Sequence, residues 1–376
     1  MRLGRRWRSG GGLDSSARTE LANISITRRC RRRCRYCFAK HERARDLVSD
    51  MPPDIYEAAL AFLERSGASE ARLLGGEPTE HPLFCEYVTR ALEQGFKVLV
   101  FSGGLIPQQA FDFLVDLPVG NILVVLNSAD PATSPGALVN RQREICRALG
   151  EKVTLGFNVA SRDEDPTFLF DWVDQYGLSR TIRLGLAHPI WGADNECFQL
   201  RGPRHIPLLE RLVAIGTEMG IRVGFDCGFT PCMFSPEFVD SQADMFMRND
   251  VGHGAADRLA AAADDSGLQS PVEAIGVRCT PVVDILPEGD CIACFALSRF
   301  CRLPLSSEGK RDDLVSSLEY ELASALPVGV YRECARCGYR AEGMCSGGCR
   351  ARRARRLRPN SLALLDPEPA HGPATR

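Results

Sequence analysis

The sequence lacks three features, and each absence excludes a class of protein. The longest aliphatic run, residues 122–126, is far shorter than the roughly 20 apolar residues that a membrane-spanning helix needs. Lys and Arg (46) nearly balance Asp and Glu (48), so no overall field attracts nucleic acid or an anionic membrane. The basic start of the chain is not followed by the apolar segment of a secretory signal. We therefore expect a water-soluble, cytoplasmic protein that has neither a membrane nor a nucleic acid as its partner.

Cysteine, by contrast, is abundant, with 16 in 376 residues. Thiols stay reduced inside a cell, so clustered cysteines there indicate metal binding or catalysis more often than disulfides. Cys85, Cys146 and Cys197 stand apart from the clusters and are expected to be core or incidental residues.

Short β-branched runs alternate with amphipathic stretches from residue 21 onward. This alternation is typical of βα units that build a parallel sheet, with chemistry at the carboxyl ends of the strands. After residue 225 the pattern stops, and we expect residues 226–276 to be irregular. Strands are predicted at 23–27, 72–75, 97–102, 121–127, 153–159, 181–186 and 222–225, and helices at 53–65, 83–93, 109–115, 141–149, 168–176 and 206–219.

The composition divides the chain into five parts. Residues 1–20 are rich in Arg, Gly and Ser, and we expect a disordered extension or an over-extended gene start. Residues 21–225 form the main α/β domain, and residues 226–275 bridge it to a cysteine-rich segment at 276–358. That segment has little apolar periodicity, so a metal is expected to hold it together. Residues 359–376, rich in Pro and Ala, are expected to be a disordered tail.

The first cysteine motif follows the first predicted strand and has the spacing C-x3-C-x2-C, with Cys30, Cys34 and Cys37. Three thiolates within eight residues converge only if the backbone wraps around one small object. Bound to a four-iron cluster, they leave one iron without a protein ligand. The alternative is a zinc knuckle, which needs a fourth ligand, and the next candidate is His41.

A second motif, Gly75-Gly76-Glu77-Pro78, ends the second predicted strand. The glycines let a ligand approach the backbone, and a carboxylate with exposed carbonyls suits a cationic amine. Together the two motifs resemble the radical S-adenosylmethionine enzymes. In those enzymes an aromatic residue precedes the last cysteine of the cluster loop, here Tyr36, and the second strand ends in GGEP.

This resemblance implies a partial (β/α)6 TIM-type barrel that binds a catalytic [4Fe-4S] cluster and S-adenosyl-L-methionine. In the family, the methionyl amine and carboxylate chelate the open iron, and the GGEP turn receives the amine. An electron from the reduced cluster then cleaves the sulfonium, and the 5'-deoxyadenosyl radical takes a hydrogen from the substrate. The barrel orients the substrate and excludes water. Further cofactor contacts, each of which can equally be a capping or turn residue, are expected from Ser102, Asn127, Ser128, Asn158 and Arg183.

The cysteine-rich segment resembles the SPASM extension of radical S-adenosylmethionine enzymes, which binds auxiliary [4Fe-4S] clusters. Cys279 and Cys294 fit its C-x9-15-G-x4-C half, through Gly289. The second half departs from the pattern, because one gap is seven residues rather than five and no cysteine follows the last one. That half consists of Cys334, Cys337, Cys345 and Cys349.

The way in which the family assigns these cysteines to its two auxiliary clusters implies two incomplete sets of ligands, so we expect one or two auxiliary clusters. The first set is Cys279, Cys294 and Cys349, and the second is Cys334, Cys337 and Cys345. A fourth ligand for either set would come from the spare thiols, unless an open site binds substrate. Of these we favour Cys227 or Cys232 for the first set, and the others are Cys291 and Cys301. A zinc ribbon formed by the last four cysteines of the chain is the alternative.

Two arginine-rich stretches complete the pattern. One surrounds the first cysteine motif, where it offsets thiolate charge and can dock a flavodoxin- or ferredoxin-type reductant, although a solvated loop explains it nearly as well. The other is residues 350–358, with six Arg, which we interpret as a solvated helix end rather than a contact for RNA or a leader peptide. The first stretch comprises Arg28, Arg29, Arg31, Arg32, Arg33 and Arg35.

The favoured function is modification of a ribosomally made peptide or protein side chain, by thioether or carbon-carbon crosslinking or by oxidation. Only about 20 residues precede the first strand, so a separate recognition protein would dock the peptide. The alternatives are oxidation or rearrangement of a small molecule, such as a sugar or natural-product precursor, and a non-catalytic iron-sulfur or zinc protein. Sulfatase-maturing relatives place an Asp base after the cysteine that corresponds to Cys294. Phe295 stands there and accepts no proton, so Asp226 is the replacement candidate.

Overall fold

The structure is a computed structural model that describes residues 22–45, 48–190, 195–199, 207–226, 228–242, 272–275, 279 and 281–355. Cys227, most of the predicted bridging region and both predicted disordered ends lie outside the described residues.

The predicted strands form one parallel sheet in chain order. Each strand pairs in parallel with the next, and each predicted helix is present between them. The α/β barrel-type architecture is therefore confirmed. The strands are β1 (Asn23–Thr27), β2 (Glu70–Gly75), β3 (Lys97–Ser102), β4 (Ile122–Asn127), β5 (Val153–Val159), β6 (Thr181–Leu186) and β7 (Arg222–Phe225).

The helices begin and end where local sequence signals place them. Proline at the first position starts the helix at Pro53, where its missing N–H costs nothing. Gly177, with φ 60°, ends the helix before it in a left-handed conformation. The helices are α1 (Lys40–Arg43), α2 (Pro53–Arg65), α3 (Phe84–Glu93), α4 (Gln108–Asp116), α5 (Gly136–Leu149), α6 (Phe168–Tyr176) and α7 (Pro207–Met219).

The segment predicted to be irregular contains two regular elements. Helix α8 (Pro236–Ser241) begins after Ser235, whose hydroxyl accepts a hydrogen bond from the Phe238 N–H at 3.2 Å. Strand β8 (Val272–Ile275) pairs in parallel with β7. The prediction was wrong here because both elements are too short to show periodicity, although Ser followed by Pro is a helix-start signal.

The cysteine-rich segment continues the barrel sheet at its other edge. Strand β9 (Asp284–Ile285) lies parallel to β1, and β10 (Asp290–Ile292) and β11 (Leu303–Pro304) follow in antiparallel pairing. The segment also contains a 15-residue helix whose buried leucines belong to the same core as the barrel. The cysteine-rich segment is thus packed against the barrel by buried apolar side chains, in addition to any metal that it binds. Its helices are α9 (Arg311–Ala325), α10 (Gly338–Ala341) and α11 (Arg350–Ala354).

The two faces of the sheet differ in what they contact. Side chains alternate along each strand, so Val98 and Val100 pack with the helices while Leu99 faces the barrel interior with Leu123 and Val125. Among the described residues, no helix is long and apolar enough to span a membrane.

Candidate active site

The first cysteine motif forms a compact loop directly after β1. The Cys37 N–H donates to the Cys34 carbonyl at 3.2 Å, and the Arg43 guanidinium donates to the Cys30 carbonyl at 2.6 Å. All three thiols are half-buried. Burial raises the pKa of Cys30 to about 11 and also raises the pKa of Cys34. These two thiols stay protonated at neutral pH unless a bound cation displaces the proton.

The GGEP turn lies directly against this loop. The Gly76 N–H donates to the Thr27 carbonyl at 2.7 Å, and the Glu77 N–H donates to the Arg29 carbonyl at 2.7 Å. A Cβ on Gly76 would lie 2.0 Å from the Arg29 oxygen, and one on Gly75 would lie 2.2 Å from the Thr27 oxygen. Only glycine at both positions lets the two motifs meet.

The Glu77 carboxylate points into the protein and ties β2 to β3. It is 1% exposed and accepts hydrogen bonds from the Thr79 hydroxyl at 2.7 Å, the Ser102 hydroxyl at 3.1 Å and the Gly103 N–H at 2.7 Å. Burial raises the pKa of Glu77, while these hydrogen bonds oppose the rise. Pro78 opens a buried 3-10 turn after it.

Three of the predicted cofactor contacts are linked by hydrogen bonds across the carboxyl ends of the strands. The Asn158 amide donates to the Asn127 side-chain carbonyl at 3.1 Å, and the Asn127 amide donates to the Tyr36 hydroxyl at 3.4 Å. Burial raises the pKa of Tyr36. These hydrogen bonds link the cysteine loop to β4 and β5.

The last two predicted residues of this edge form an ion pair. Arg183 in β6 donates to the Asp226 carboxylate at 2.7 Å, and its guanidinium lies 5.2 Å from the centre of the Phe101 ring. Gly185 keeps this pair beside the asparagines, because a Cβ there would lie 2.5 Å from the Asn158 oxygen and 3.6 Å from an Asp226 oxygen.

Ser128 does not join this group. It is buried, and its hydroxyl donates to the Leu126 carbonyl at 3.3 Å while its N–H donates to the Gly156 carbonyl at 2.7 Å. These hydrogen bonds are typical of a turn residue at the end of β4, and a cofactor contact from Ser128 stays a prediction.

Two residues that the sequence did not single out for this edge hold it together. Arg32 donates to the carbonyls of Gly103 at 2.9 Å and Asn127 at 2.5 Å. The Gln142 amide donates to the same two carbonyls, each at 3.0 Å. Gln142 is fully buried among the apolar residues of α5, and a polar residue on an apolar helix face is a signal that the sequence does contain.

A buried ion network joins the cysteine loop to the C-terminal hairpin. Glu42 lies 2.5 Å from Arg302 and 3.7 Å from Arg28, and Glu288 lies 2.6 Å from Arg28 and 3.0 Å from Arg302. The Glu42 side chain is only 2% exposed. The arginines around the motif are therefore not simply a solvated loop. Other pairs are Arg29 with Asp50, Arg31 with Glu80 and Arg35 with Glu196.

The first expected set of auxiliary ligands is brought together. The thiols of Cys279 and Cys349 are hydrogen-bonded, and the charges of both act on Cys294. This bond holds the pKa of Cys349 below its usual range. The Arg350 N–H donates to the Cys279 sulfur at 3.4 Å, and the Cys279 N–H donates to the Ser346 hydroxyl at 3.2 Å.

The second expected set lines a separate cavity with Cys232. The sequence favoured Cys227 or Cys232 for the first set; Cys232 lies with the second, and Cys227 lies outside the described residues. Cys349, which the zinc-ribbon alternative needs, does not line this cavity and is hydrogen-bonded to Cys279 instead. Within the described residues, no three His, Cys, Asp or Glu side chains converge at the spacing of a single metal ion.

The remaining cysteines lie away from these sets. Cys146 is buried in α5 and Cys291 in β10, each in the main core. Cys85 and Cys301 are half-buried against that core, and Cys197 is half-buried in a loop.

Three arginines of the C-terminal run, Arg350, Arg352 and Arg353, are not solvated, whereas Arg355 is exposed as expected. Arg352 is 8% exposed and donates to the carbonyls of Phe198 and, at 2.9 Å, Ala187. Arg350 lies 3.1 Å from Glu319, and Arg353 donates to the Gly348 carbonyl at 3.1 Å. These side chains stabilise the turn that carries Cys349, so the expectation was wrong for them.

The segment that carries these motifs is similar to a known family. The model of the Radical SAM superfamily matches residues 24–159. An S-adenosylmethionine-dependent nucleotide dehydratase of Selenomonas ruminantium is 35% identical over 83 residues, and one of Thermoplasmatales archaeon (strain ISO4-H5) is 34% identical over 84 residues. Each match covers 22% of this chain and 29% of the relative, so the chain spans less than a third of those proteins' length.

Solved structures share the fold over most of the chain. Streptococcus suis SuiB bound to S-adenosylmethionine has a TM-score of 0.60 at 16% identity, covering 87% of this chain and 72% of that one. Native anSMEcpe with bound AdoMet has a TM-score of 0.56 at 14% identity, covering 89% and 90%. The segment that the family model matches, residues 24–159, contains both the cysteine loop and the GGEP turn, so this part of the chain is similar to the Radical SAM superfamily.

Proposed function

We propose that this protein cleaves S-adenosyl-L-methionine reductively and uses the product radical to take a hydrogen atom from a substrate. The observation that carries this proposal is the direct contact of the Cys30, Cys34 and Cys37 loop with the Gly75–Pro78 turn at the carboxyl ends of the strands. The thiol donor set fits a [4Fe-4S] cluster, with three ligands and one open iron.

The residues of the barrel edge would orient the cofactor and the substrate. Three acceptor sites of the Glu77 carboxylate are used within the protein, so we assign recognition of the methionyl amine to the backbone carbonyls of the turn. The chain of Tyr36, Asn127 and Asn158 offers hydrogen bonds to the nucleoside. When bound, the cluster and S-adenosylmethionine supply the electron transfer and the radical, and the protein supplies orientation.

The substrate we propose is a peptide or protein side chain, modified by crosslinking or oxidation. Two proteins with this fold were solved with peptides: SuiB with the precursor peptide SuiA, and anSMEcpe with the Kp18Cys peptide. Phe295 rules out the Asp base expected of sulfatase-maturing enzymes at that position. Asp226, paired with Arg183, is the remaining candidate for taking a proton. A flavodoxin- or ferredoxin-type reductant and a separate peptide-recognition protein are the proposed partners in the cytoplasm.

A small-molecule substrate is the second candidate. The observation that favours it is the local identity of 34–35% to S-adenosylmethionine-dependent nucleotide dehydratases, which is higher than the 16% to SuiB. It covers only 22% of the chain, and the barrel edge alone does not distinguish a nucleotide from a peptide.

Hydrogen transfer distinguishes these candidates. The reconstituted enzyme would be incubated with S-adenosylmethionine and dithionite in ordinary water, with either deuterium-labelled short peptides encoded beside the gene or deuterium-labelled ribonucleoside triphosphates. We expect deuterium in 5'-deoxyadenosine with a peptide. Transfer only from a nucleotide would replace the peptide proposal, and 5'-deoxyadenosine formation without either substrate would still support the cleavage chemistry.

A further inference from the structure

We infer that Cys232 supplies the fourth thiolate of an auxiliary [4Fe-4S] cluster whose other ligands are Cys334, Cys337 and Cys345. The inference rests on the proposed iron-sulfur chemistry of the C-terminal segment and is independent of the substrate. It assigns a ligand that precedes the cysteine-rich segment, whereas the SPASM pattern expects one after it.

The four thiols line one cavity. Its walls consist of two chain segments that are far apart in sequence. One contains Thr230, Pro231 and Cys232, and the other runs from Val330 to Gly347 and includes Tyr339.

Packing fixes the position of Cys232. It is the middle residue of a 3-10 turn, Pro231–Met233, between the buried side chains of Phe229 and Met233. The Phe229 ring lies 5.0 Å from Phe225, and Phe234 lies 5.6 Å from Phe225. Such aromatic pairs resist displacement of the backbone between them.

Hydrogen bonds hold the same turn from both sides. The Glu210 carboxylate in α7 accepts from the Ser235 N–H at 2.6 Å and from the Ser235 hydroxyl at 3.0 Å. On the other side, the Thr230 hydroxyl lies 3.2 Å from the Cys232 sulfur. These contacts fix the backbone around Cys232. Its sulfur therefore stays at the cavity that the other three thiols line, which is the position a fourth ligand needs.

The opposite wall is arranged for thiolate ligands too. The Gly347 N–H donates to the Cys345 sulfur at 3.3 Å, and the Cys345 N–H donates to the Tyr339 carbonyl at 3.1 Å. The absence of a side chain at Gly329 makes room for the Cys334 thiol, since a Cβ there would lie 2.7 Å from the Cys334 sulfur. Hydrogen bonds to the sulfurs are one means by which proteins tune iron-sulfur clusters.

Four thiolates suit either an iron-sulfur cluster or zinc. Zinc would draw all four sulfurs to about 2.3 Å from one point, whereas among the described residues no three His, Cys, Asp or Glu side chains have the spacing that a single metal ion needs. The geometry therefore favours the cluster. Its ligation would connect the loop after β7 to the C-terminal turn, and it leaves Cys279, Cys294 and Cys349 as the described thiolates of the first set.

The test uses the full chain in which Cys30, Cys34 and Cys37 are replaced by Ala, so that only auxiliary iron remains. Cys232→Ala is compared in this background with Cys301→Ala, a half-buried spare thiol outside the cavity. After anaerobic reconstitution, iron, sulfide and zinc per chain and the EPR spectra of the oxidised and reduced protein are measured. Far-UV circular dichroism of both variants reports whether the barrel has folded.

We expect Cys232→Ala to lose about four irons, or to convert one cluster to a [3Fe-4S] form with its own EPR signal, while Cys301→Ala retains iron and spectra. Unchanged iron and spectra in Cys232→Ala would overturn the inference. Zinc bound in proportion to the chain and lost in that variant would overturn it as well. Failure of the native chain to cleave S-adenosylmethionine would count against the proposed function and leave this comparison intact.

Discussion

Phe38 and Phe295 meet edge to face, with ring centroids 5.2 Å apart and planes at 63°. Each directly follows a predicted cluster ligand, Cys37 in the barrel loop and Cys294 in the C-terminal segment. Phe295 belongs to a buried apolar cluster against which Cys37 also packs. The residue that replaces the expected Asp base is thus a packing contact between two predicted metal sites.

The first prediction follows from the burial of Phe295, which is 4% exposed. Phe295→Ala should lower the free energy of unfolding by about 3–5 kcal/mol, the usual cost of removing a buried phenyl ring. Phe38 is 42% exposed. Phe38→Ala should therefore lower the free energy of unfolding only by the energy of the aromatic pair, about 0.5–1.5 kcal/mol. Chemical denaturation of the reconstituted protein under anaerobic conditions measures both. Equal losses would contradict the packing role of Phe295.

A second prediction concerns the contact between the two motifs. Gly76→Ala should displace the cysteine loop, because the new Cβ would lie 2.0 Å from the Arg29 oxygen. We expect loss of S-adenosylmethionine cleavage and of about four irons per chain. Gly136→Ala, at the start of α5, is the control, since a Cβ there would have no neighbour within 4 Å. Retained cleavage in Gly76→Ala would show that the two motifs do not need this contact.

Much of the fold was visible in the sequence. Long strands such as β3 and β5 and amphipathic helices such as α2 and α6 have clear periodicity, and their predicted bounds match the structure. Short elements such as β8 and β9 have too few residues for any period. Their place at the sheet edges depends on pairing with distant strands, which local sequence does not encode.

The site was predictable to a similar degree. Spacing predicted that Cys30, Cys34 and Cys37 share one compact loop, because neighbouring residues converge locally; their role as cluster ligands stays a prediction. The sequence did not indicate that Cys232 lies beside Cys334, Cys337 and Cys345, since these thiols are about a hundred residues away and only tertiary folding joins them. Arg352 was misread for the same reason: its charge suggested solvent, but its carbonyl acceptors belong to distant loops.

A third prediction concerns the buried ion network. Glu42→Gln would remove one of the two carboxylates that Arg28 and Arg302 share and leave only Glu288, at a cost of about 1.5–3 kcal/mol in the free energy of unfolding. Glu57→Gln is the control, because its ion pair with Arg90 is exposed and should contribute at most about 1 kcal/mol. Equal effects of the two substitutions would contradict the network.

The same network predicts a pH dependence. Burial alone would raise the pKa of Glu42, but the hydrogen bond and charge of Arg302 outweigh it and hold that pKa below its usual range. The stabilisation is therefore complete above the unfolded value of about 4.3 and is lost as pH falls through the lower folded value. Denaturation curves from about pH 6 to pH 3 should lose stability more steeply for the native chain than for Glu42→Gln. Parallel curves would refute this.

A fourth prediction addresses cofactor binding. Asn127→Ala removes the link between Tyr36 and Asn158, and a broken buried hydrogen bond costs about 1–3 kcal/mol. The Kd for S-adenosylmethionine should rise roughly 5- to 150-fold. Asn121→Ala, at an exposed position before the start of the same strand, should leave the Kd unchanged. Isothermal titration under anaerobic conditions measures both, and an unchanged Kd in Asn127→Ala would remove this residue from the cofactor site.

The central claim is that the loop of Cys30, Cys34 and Cys37 holds the cluster that cleaves S-adenosylmethionine. Its most direct test is an anaerobic reconstitution of the native chain and the triple Ala variant, with iron per chain and 5'-deoxyadenosine measured together. We predict that the variant contains about four fewer irons and forms no 5'-deoxyadenosine, while auxiliary iron stays bound. Continued cleavage by the triple variant, or an unchanged iron content, would contradict the claim.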